Sequence, residues 1–206
     1  MEKSNGAMQS LEAKISANTV LFFDLDGTLV DTNLANFLSY KKAIQFVTKL
    51  GEDLTYFPNQ RFNRSMLKNI LPNLTENEYE KIIREKELCY KDFLQENKLN
   101  KTVTEILFKY SKTNMTVLVT NCRKDRALTT LNFFGLTDTF SNIFFREVGE
   151  NQGKINKYIN AISRLGISAS SIIVFENEKA EINDAIIAGI NESNIFKPLD
   201  YDIIYN

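Results

Sequence analysis

Residues 19 to 29, Thr19-Val-Leu-Phe-Phe-Asp24-Leu-Asp26-Gly-Thr-Leu29, join an unbroken apolar run to a polar turn. An apolar run of this length is typical of a strand that is covered on both faces in a parallel sheet. Because strand side chains alternate, Asp24 and Asp26 can both face the crevice at the end of the strand while Leu25 points into the core. Gly27 permits the tight chain reversal that follows. The stretch therefore predicts a buried strand that ends in two carboxylates.

Strand and helix patterns alternate over the second half of the chain. Such alternation indicates βαβ units and a parallel sheet, in which ligands bind outside the carboxyl ends of the strands. The sequence therefore predicts an α/β fold. The predicted elements are a helix from about 102, a strand at 115–120, a helix to 135, a short strand at 143–145, a helix at 154–165, a strand at 172–175, a helix at 178–188 and a last strand near 195.

Residues 34 to 97 show helical periods without strands. One predicted helix begins at Leu34 and ends at Gly51, and the capping box from Thr75 to Glu78 opens another. A chain of 206 residues can hold a core domain and a smaller second domain. We therefore expect an α/β core of residues 1–33 and 98–206 and an all-helical domain of residues 34–97.

Composition excludes several classes of function. The sequence contains no histidine, which rules out Ser/His/Asp and Cys/His triads and histidine metal sites. The formal charge of −1 with mixed signs argues against a dedicated nucleic-acid or membrane binder. Cys89 and Cys122 lie far apart without metal-type spacing, and no apolar stretch is long enough for a membrane span. These features predict a cytoplasmic protein without disulfides that acts on a small molecule.

The pair of carboxylates at the strand end suits phosphoryl transfer. One carboxylate can attack phosphorus to give an acyl phosphate, while the second protonates the leaving oxygen and later deprotonates water. A hard divalent cation would bridge carboxylate and phosphate oxygens. The alternative interpretation is a polar strand end followed by a turn.

The run Asp24-Leu-Asp26-Gly27-Thr28-Leu-Val-Asp-Thr after a buried strand resembles the first motif of the haloacid dehalogenase superfamily. The resemblance implies that Asp24 is the nucleophile, that Asp26 is first general acid and then general base, and that Gly27 and Thr28 help to bind the phosphate. It also implies Mg²⁺ as the cofactor. Asp26 argues against haloalkanoate dehalogenase activity, because dehalogenases of this superfamily lack the second aspartate.

Two later segments resemble the second and third motifs of the superfamily. Thr120-Asn121 follows an apolar strand, and the resemblance implies that these side chains hold a phosphate oxygen. Taken alone, Thr120 fits a helix N-cap better than a phosphate contact, and its place after the first motif favours the phosphate role. Arg123 is a candidate substrate contact or a solvated surface charge. Lys154, before a helix, is the expected lysine of the third motif, and Lys157 is the competing choice.

Residues 172 to 190 resemble the fourth motif, which usually reads Gly-Asp-x-x-x-Asp or Glu-Asp-Ser after an apolar strand and supplies acidic ligands to magnesium. Here Asn177 stands where the usual aspartate would be. An amide oxygen can bind magnesium but brings no charge, so either a neighbouring glutamate compensates or the metal is weakly bound. The expected ligands are Asp24, the carbonyl of Asp26, Glu176, Asn177 and Glu178.

Together the motifs imply a Rossmann-like parallel sheet in the order 5-4-1-2-3, with a helical cap inserted between the first and second motifs. The resemblance to phosphoglycolate-phosphatase relatives implies a magnesium-dependent phosphomonoester hydrolase that acts on a small phosphorylated metabolite through an aspartyl-phosphate. Two alternatives stay open. One is a phosphomutase of the β-phosphoglucomutase type, and the other is a non-catalytic protein whose metal site is weakened by Asn177.

Overall fold

The computed structural model describes residues 11–58, 60–147 and 155–198, and its centre is a five-stranded parallel sheet. The strands β1, β4, β5, β6 and β7 form this sheet, and β2 and β3 pair with each other. The predicted α/β class is confirmed. In chain order the strands are β1 (Val20–Phe23), β2 (Val30–Asp31), β3 (Lys98–Leu99), β4 (Thr116–Val119), β5 (Asn142–Phe144), β6 (Ile172–Phe175) and β7 (Ile195–Phe196).

The strand order of the sheet is β5-β4-β1-β6-β7. These labels differ from the expected 5-4-1-2-3 because β2 and β3 lie outside the sheet but are counted. When only the strands of the sheet are numbered, the same order reads 5-4-1-2-3 from the β7 edge. The central position of β1 places the end of its apolar run between two neighbouring strands.

Helices connect the strands and build the inserted segment. In chain order they are α1 (Asn33–Thr48), α2 (Arg64–Ile70), α3 (Glu76–Cys89), α4 (Lys101–Tyr110), α5 (Lys124–Phe133), α6 (Lys157–Leu165) and α7 (Lys179–Ile187). The predicted capping box is present, since Thr75 and Glu78 exchange side-chain and backbone hydrogen bonds at the start of α3.

Two helix ends differ from the sequence prediction. Helix α1 ends at Thr48 rather than at Gly51, because Lys49 adopts a left-handed conformation with φ of 62°. Helix α6 begins at Lys157 rather than at residue 154, because the side chain of Asn156 accepts hydrogen bonds from the backbone N–H groups of Tyr158 and Ile159 and caps the helix.

Both faces of the sheet are covered by apolar side chains, as the unbroken run predicts. Leu21 and Phe23 of β1 pack into one buried cluster, which also contains Leu25. Val20 and Phe22 pack into the other cluster, on the opposite face. Because these side chains alternate between the two faces and are buried on both, the register of β1 is fixed. Asp24 therefore has a fixed position directly after the strand.

The chain divides into two compact units. One contains the described residues up to Val30 and from Leu99 onward, and the second contains Asp31–Lys98. The second unit has its own apolar core, to which Phe37, Ile44 and Ile82 contribute. Its limits lie within three residues of the expected domain limits at 33/34 and 97/98. Within the described residues, no helix is long and apolar enough to cross a membrane.

Candidate active site

The register of the sheet brings the candidate catalytic side chains together at the carboxyl ends of the strands. Phe23 pairs with Phe175, and the N–H of Asp24 donates a 3.0 Å hydrogen bond to the carbonyl of Phe175. Asp24 and Glu176, the next residues along β1 and β6, are therefore neighbours. On the other side of β1, Thr120 directly follows β4, which pairs with β1 in parallel.

A single ammonium group joins three acidic side chains at this edge. Nζ of Lys157 lies 2.7 Å from Oδ1 of Asp24, 2.8 Å from Oε2 of Glu176 and 3.2 Å from Oε2 of Glu181. Lys157 and Asp24 are both buried, and Glu176 is fully buried. Because burial strengthens electrostatic interactions, this lysine is the main counterion of the buried carboxylates.

The burial of the cluster changes its protonation. Burial and the nearby carboxylate of Glu176 raise the pKa of Asp24 to about 7, against the opposing effect of Lys157. Burial lowers the pKa of Lys157, but the attraction of Asp24, Glu176 and Glu181 outweighs it and raises that pKa well above its ordinary value. The ammonium therefore stays charged, but burial and the neighbouring Glu176 outweigh its lowering effect on the pKa of Asp24.

Glu176 has both carboxylate oxygens engaged by protein donors. Oε2 accepts hydrogen bonds from Lys157 and from the hydroxyl of Tyr158 at 2.7 Å, and Oε1 accepts the backbone N–H groups of Asn177 and Glu178, each at 2.9 Å. Burial raises the pKa of Tyr158 well above its ordinary value, so its hydroxyl stays protonated and can donate. The expected role of Glu176 as a magnesium ligand therefore needs correction, because its oxygens hold Lys157 and the start of α7.

Asn177 lies against the turn that follows β1. Its Oδ1 accepts a 2.9 Å hydrogen bond from the hydroxyl of Thr28, and its backbone N–H donates to the same hydroxyl oxygen at 3.1 Å. Thr28 is fully buried. Its hydroxyl therefore joins the first and fourth sequence motifs directly, which differs from the phosphate contact expected for Thr28.

Asp26 is held by a residue that the sequence analysis missed. The guanidinium of Arg126 donates a 2.7 Å hydrogen bond to Oδ2 of Asp26, and its Nε donates to Sγ of Cys122 at 2.9 Å. Arg123, the arginine named from the sequence, is exposed. The sequence offered one indication of this residue, namely a cationic side chain in the first turn of the helix after β4. Lys124 shows the same feature, so the sequence alone does not single out Arg126.

Thr120 and Asn121 lie at the end of β4 as expected. Thr120 is buried, and its hydroxyl oxygen accepts the N–H of Cys122 at 3.1 Å, so the hydroxyl proton remains available to a ligand. The amide of Asn121 instead donates a 2.6 Å hydrogen bond to Oε2 of Glu181. Glu181 was not among the predicted site residues, although it stands four positions after Asn177, the spacing of the acids in Gly-Asp-x-x-x-Asp.

Lys154 lies outside the described residues, whereas Lys157, the competing choice, contacts Asp24 directly. Helix α6 begins at Lys157, and the third motif expects a lysine before or at the start of a helix, a position that Lys154 and Lys157 both satisfy in the sequence. The direct contact with Asp24 is the observation in favour of Lys157.

The donors that remain for a divalent cation are the carboxylate of Asp24, the carbonyl of Asp26 and the amide oxygen of Asn177. Within residues 11–58, 60–147 and 155–198, no group of three or more acidic or thiol side chains is arranged to hold a metal ion. Glu178 is exposed, and its N–H is bound to Glu176. An oxygen set with one carboxylate fits Mg²⁺, which commonly combines one or two carboxylates with waters and substrate phosphates.

Gly27 is expected to be the glycine of this site that tolerates substitution least. Its φ is +85°, and a Cβ there would lie 2.6 Å from Nδ2 of Asn177. Gly27→Ala should therefore lower the free energy of unfolding by at least about 2 kcal/mol, measured by urea denaturation. Gly135→Ala is the matched control, because Gly135 also has a positive φ but a Cβ there meets nothing within 4 Å. Equal losses in the two variants would contradict the close packing of the turn against Asn177.

Comparisons with known proteins test the predicted superfamily. The family model of haloacid dehalogenase-like hydrolases matches residues 21–195. A curated relative from Thermotoga maritima, named phosphorylated carbohydrates phosphatase, is 26% identical over 181 residues, which cover 82% of this chain and 81% of the relative.

Solved structures share the fold. A protein from Haemophilus somnus that is assigned as a phosphoglycolate phosphatase is 22% identical with a TM-score of 0.67, covering 85% of this chain and 84% of its own. A protein from Thermotoga maritima that is assigned as a β-phosphoglucomutase is 22% identical with a TM-score of 0.59, covering 87% of this chain and 84% of its own. The family model spans most of the sequence, and it confirms the predicted superfamily and enzyme class. The chain belongs to the haloacid dehalogenase-like hydrolase family.

Proposed function

We propose that the protein is a magnesium-dependent phosphatase that hydrolyses small phosphorylated carbohydrates through an aspartyl-phosphate on Asp24. The observation that carries this proposal is the buried pair of Asp24 and Lys157, whose 2.7 Å contact holds Oδ1 of Asp24 at the carboxyl end of β1, next to the strand β4 that Thr120 follows. Among the described residues, Oδ2 of Asp24 accepts no hydrogen bond, so this oxygen is the one that attacks.

The first half of the proposed reaction forms the acyl phosphate. Oδ2 of Asp24 attacks phosphorus, the bond from phosphorus to the leaving oxygen breaks, and the carboxyl group of Asp26 gives its proton to that oxygen. Thr120 donates its hydroxyl to a phosphate oxygen, and Lys157 stabilises the charge that develops on the phosphate. In the structure Asp26 is bound to Arg126, so this ion pair must open before Asp26 acts as an acid.

The second half returns the enzyme to its starting form. Asp26, now a carboxylate, takes a proton from water while the water oxygen attacks phosphorus. The bond from phosphorus to Asp24 breaks, which releases inorganic phosphate and regenerates the Asp24 carboxylate. Because Asp26 gives one proton and takes one back, the cycle closes without another titrating group.

Magnesium would be held by Asp24, the carbonyl of Asp26 and Asn177, and when bound it would neutralise part of the negative charge on the phosphate. Thr28 and Gly27 support this set, since the Thr28 hydroxyl positions Oδ1 of Asn177 and the absence of a Cβ on Gly27 leaves room for the amide. Glu176 supports Lys157 rather than the cation.

The substrate class is taken from the curated relative, which is named for phosphorylated carbohydrates. We further propose that the helical unit Asp31–Lys98 is the cap that selects among such substrates, because it is inserted in sequence between the segments of Asp24 and Thr120. The predicted cytoplasmic location stays a prediction.

The proposal is tested with a panel of sugar phosphates, nucleotides and phosphoglycolate, with magnesium or with excess EDTA. We expect phosphate release from sugar phosphates that is at least about tenfold faster with magnesium. Formation of an isomeric sugar phosphate without phosphate release would support the mutase alternative. The absence of turnover across the whole panel would support the non-catalytic alternative and would contradict the proposal.

A further inference from the structure

Two protein cations face the four carboxylates of Asp24, Asp26, Glu176 and Glu181, and they neutralise half of this formal charge. Lys157 contacts Asp24, Glu176 and Glu181, and Arg126 contacts Asp26. A divalent cation at Asp24 therefore meets a carboxylate whose charge is shared with an ammonium group 2.7 Å away.

Asn177 adds an oxygen to the site but no charge. Thr28 donates a hydrogen bond to Oδ1 of Asn177, and the absence of a Cβ on Gly27 leaves room for the amide group. The affinity of an oxygen site for a divalent cation depends on the number of charged ligands and on their rigidity. The site thus offers the cation one carboxylate, itself paired with an ammonium group, and two uncharged oxygens, which is too little charge to hold it tightly.

We infer that magnesium and the phosphate group bind this site cooperatively, because the phosphate oxygens supply the negative charge that Asn177 does not. This inference rests on the proposed function, since it takes the same donors for the metal. Cooperativity is reciprocal, so magnesium raises the affinity for phosphate by the same factor by which phosphate raises the affinity for magnesium. Asn177→Asp supplies the missing charge and removes most of this dependence.

Isothermal titration calorimetry of magnesium, with and without inorganic phosphate, tests the inference without any turnover. The titration of phosphate alone is subtracted. For the unmodified protein we expect phosphate to tighten magnesium binding at least about tenfold. For Asn177→Asp we expect magnesium alone to bind at least about tenfold more tightly than to the unmodified protein, with a smaller effect of phosphate.

Ala180→Asp is the matched control, because it adds the same charge at an exposed position in the first turn of α7. It should behave like the unmodified protein. A second measurement is the unfolding temperature, which magnesium alone should raise more in Asn177→Asp than in Ala180→Asp.

Three outcomes would overturn the inference: phosphate leaves magnesium binding unchanged, Asn177→Asp binds magnesium no more tightly than Ala180→Asp, or the unmodified protein binds no magnesium in either condition. These outcomes differ from failure of the proposed function, which is the absence of phosphate release from every ester. If the protein hydrolyses no ester but phosphate still tightens magnesium binding as expected, the inference stands and the proposed activity is contradicted.

Discussion

Asp24→Asn is expected to lower the hydrolysis of p-nitrophenyl phosphate at least about a thousandfold, because the amide cannot form the acyl phosphate. The measurement is the rate of nitrophenol release at saturating magnesium. Asparagine keeps the shape of aspartate, and its side-chain oxygen can still accept the hydrogen bond from Lys157. A loss of activity would thus come from the loss of the carboxylate, as nucleophile or as magnesium ligand, rather than from a change in side-chain shape.

Asp125→Asn is the matched control, since Asp125 is an exposed aspartate in the first turn of α5. It should retain the activity of the unmodified protein. If Asp24→Asn kept more than about a tenth of that activity, an aspartyl-phosphate at this position would be excluded.

Asp24→Asn should also stabilise the protein at alkaline pH when magnesium is removed with EDTA. Folding raises the pKa of Asp24 from 3.8 to about 7, so the folded state holds this proton more tightly than the unfolded chain. The stability of the unmodified protein that depends on Asp24 is therefore complete below about pH 4, falls between pH 4 and 7 and stays low above that range. Asparagine has no proton to lose, so the melting temperature of the variant should exceed that of the unmodified protein at pH 8 and the difference should shrink toward pH 4.

The sequence predicts the positions of the strand-end residues better than their partners. Asp24, Thr120 and Glu176 each follow an apolar strand, and the carboxyl ends of parallel strands meet at one edge of the sheet. The confirmed α/β class was therefore sufficient to bring these residues close together. Their distance along the chain gave no information about which side chain each would contact.

The contacts that the sequence did not predict depend on helix starts and side-chain directions. Spacing could not separate Lys154 from Lys157, because both precede or open the same apolar helical pattern. The contact of Lys157 with Asp24 is the observation that supports Lys157, and Lys154 lies outside the described residues. Likewise, only the three-dimensional arrangement shows that Arg126 rather than Arg123 contacts Asp26.

Lys157→Met is expected to have the largest effect on stability of any substitution at the site. Methionine has a similar length but no charge, so Asp24 and Glu176 would face each other in the buried cluster without their common counterion. Breaking such a buried pair typically costs about 3 to 5 kcal/mol, and we expect a loss of this size in the free energy of unfolding at pH 8. Urea denaturation measures it, and turnover should be lost as well.

The pH dependence of this loss identifies its cause. At pH 5 Asp24, whose pKa in the unmodified protein is about 7, can take up a proton and relieve the repulsion from Glu176, so Lys157→Met should cost less there than at pH 8. A cavity or a packing defect would lower the free energy of unfolding by the same amount at both pH values.

Lys154→Met is the variant that distinguishes the two lysines, and it should leave both stability and turnover unchanged. Loss of turnover in Lys154→Met together with normal turnover in Lys157→Met would instead assign the phosphate-binding lysine to Lys154 and reduce Lys157 to a structural counterion.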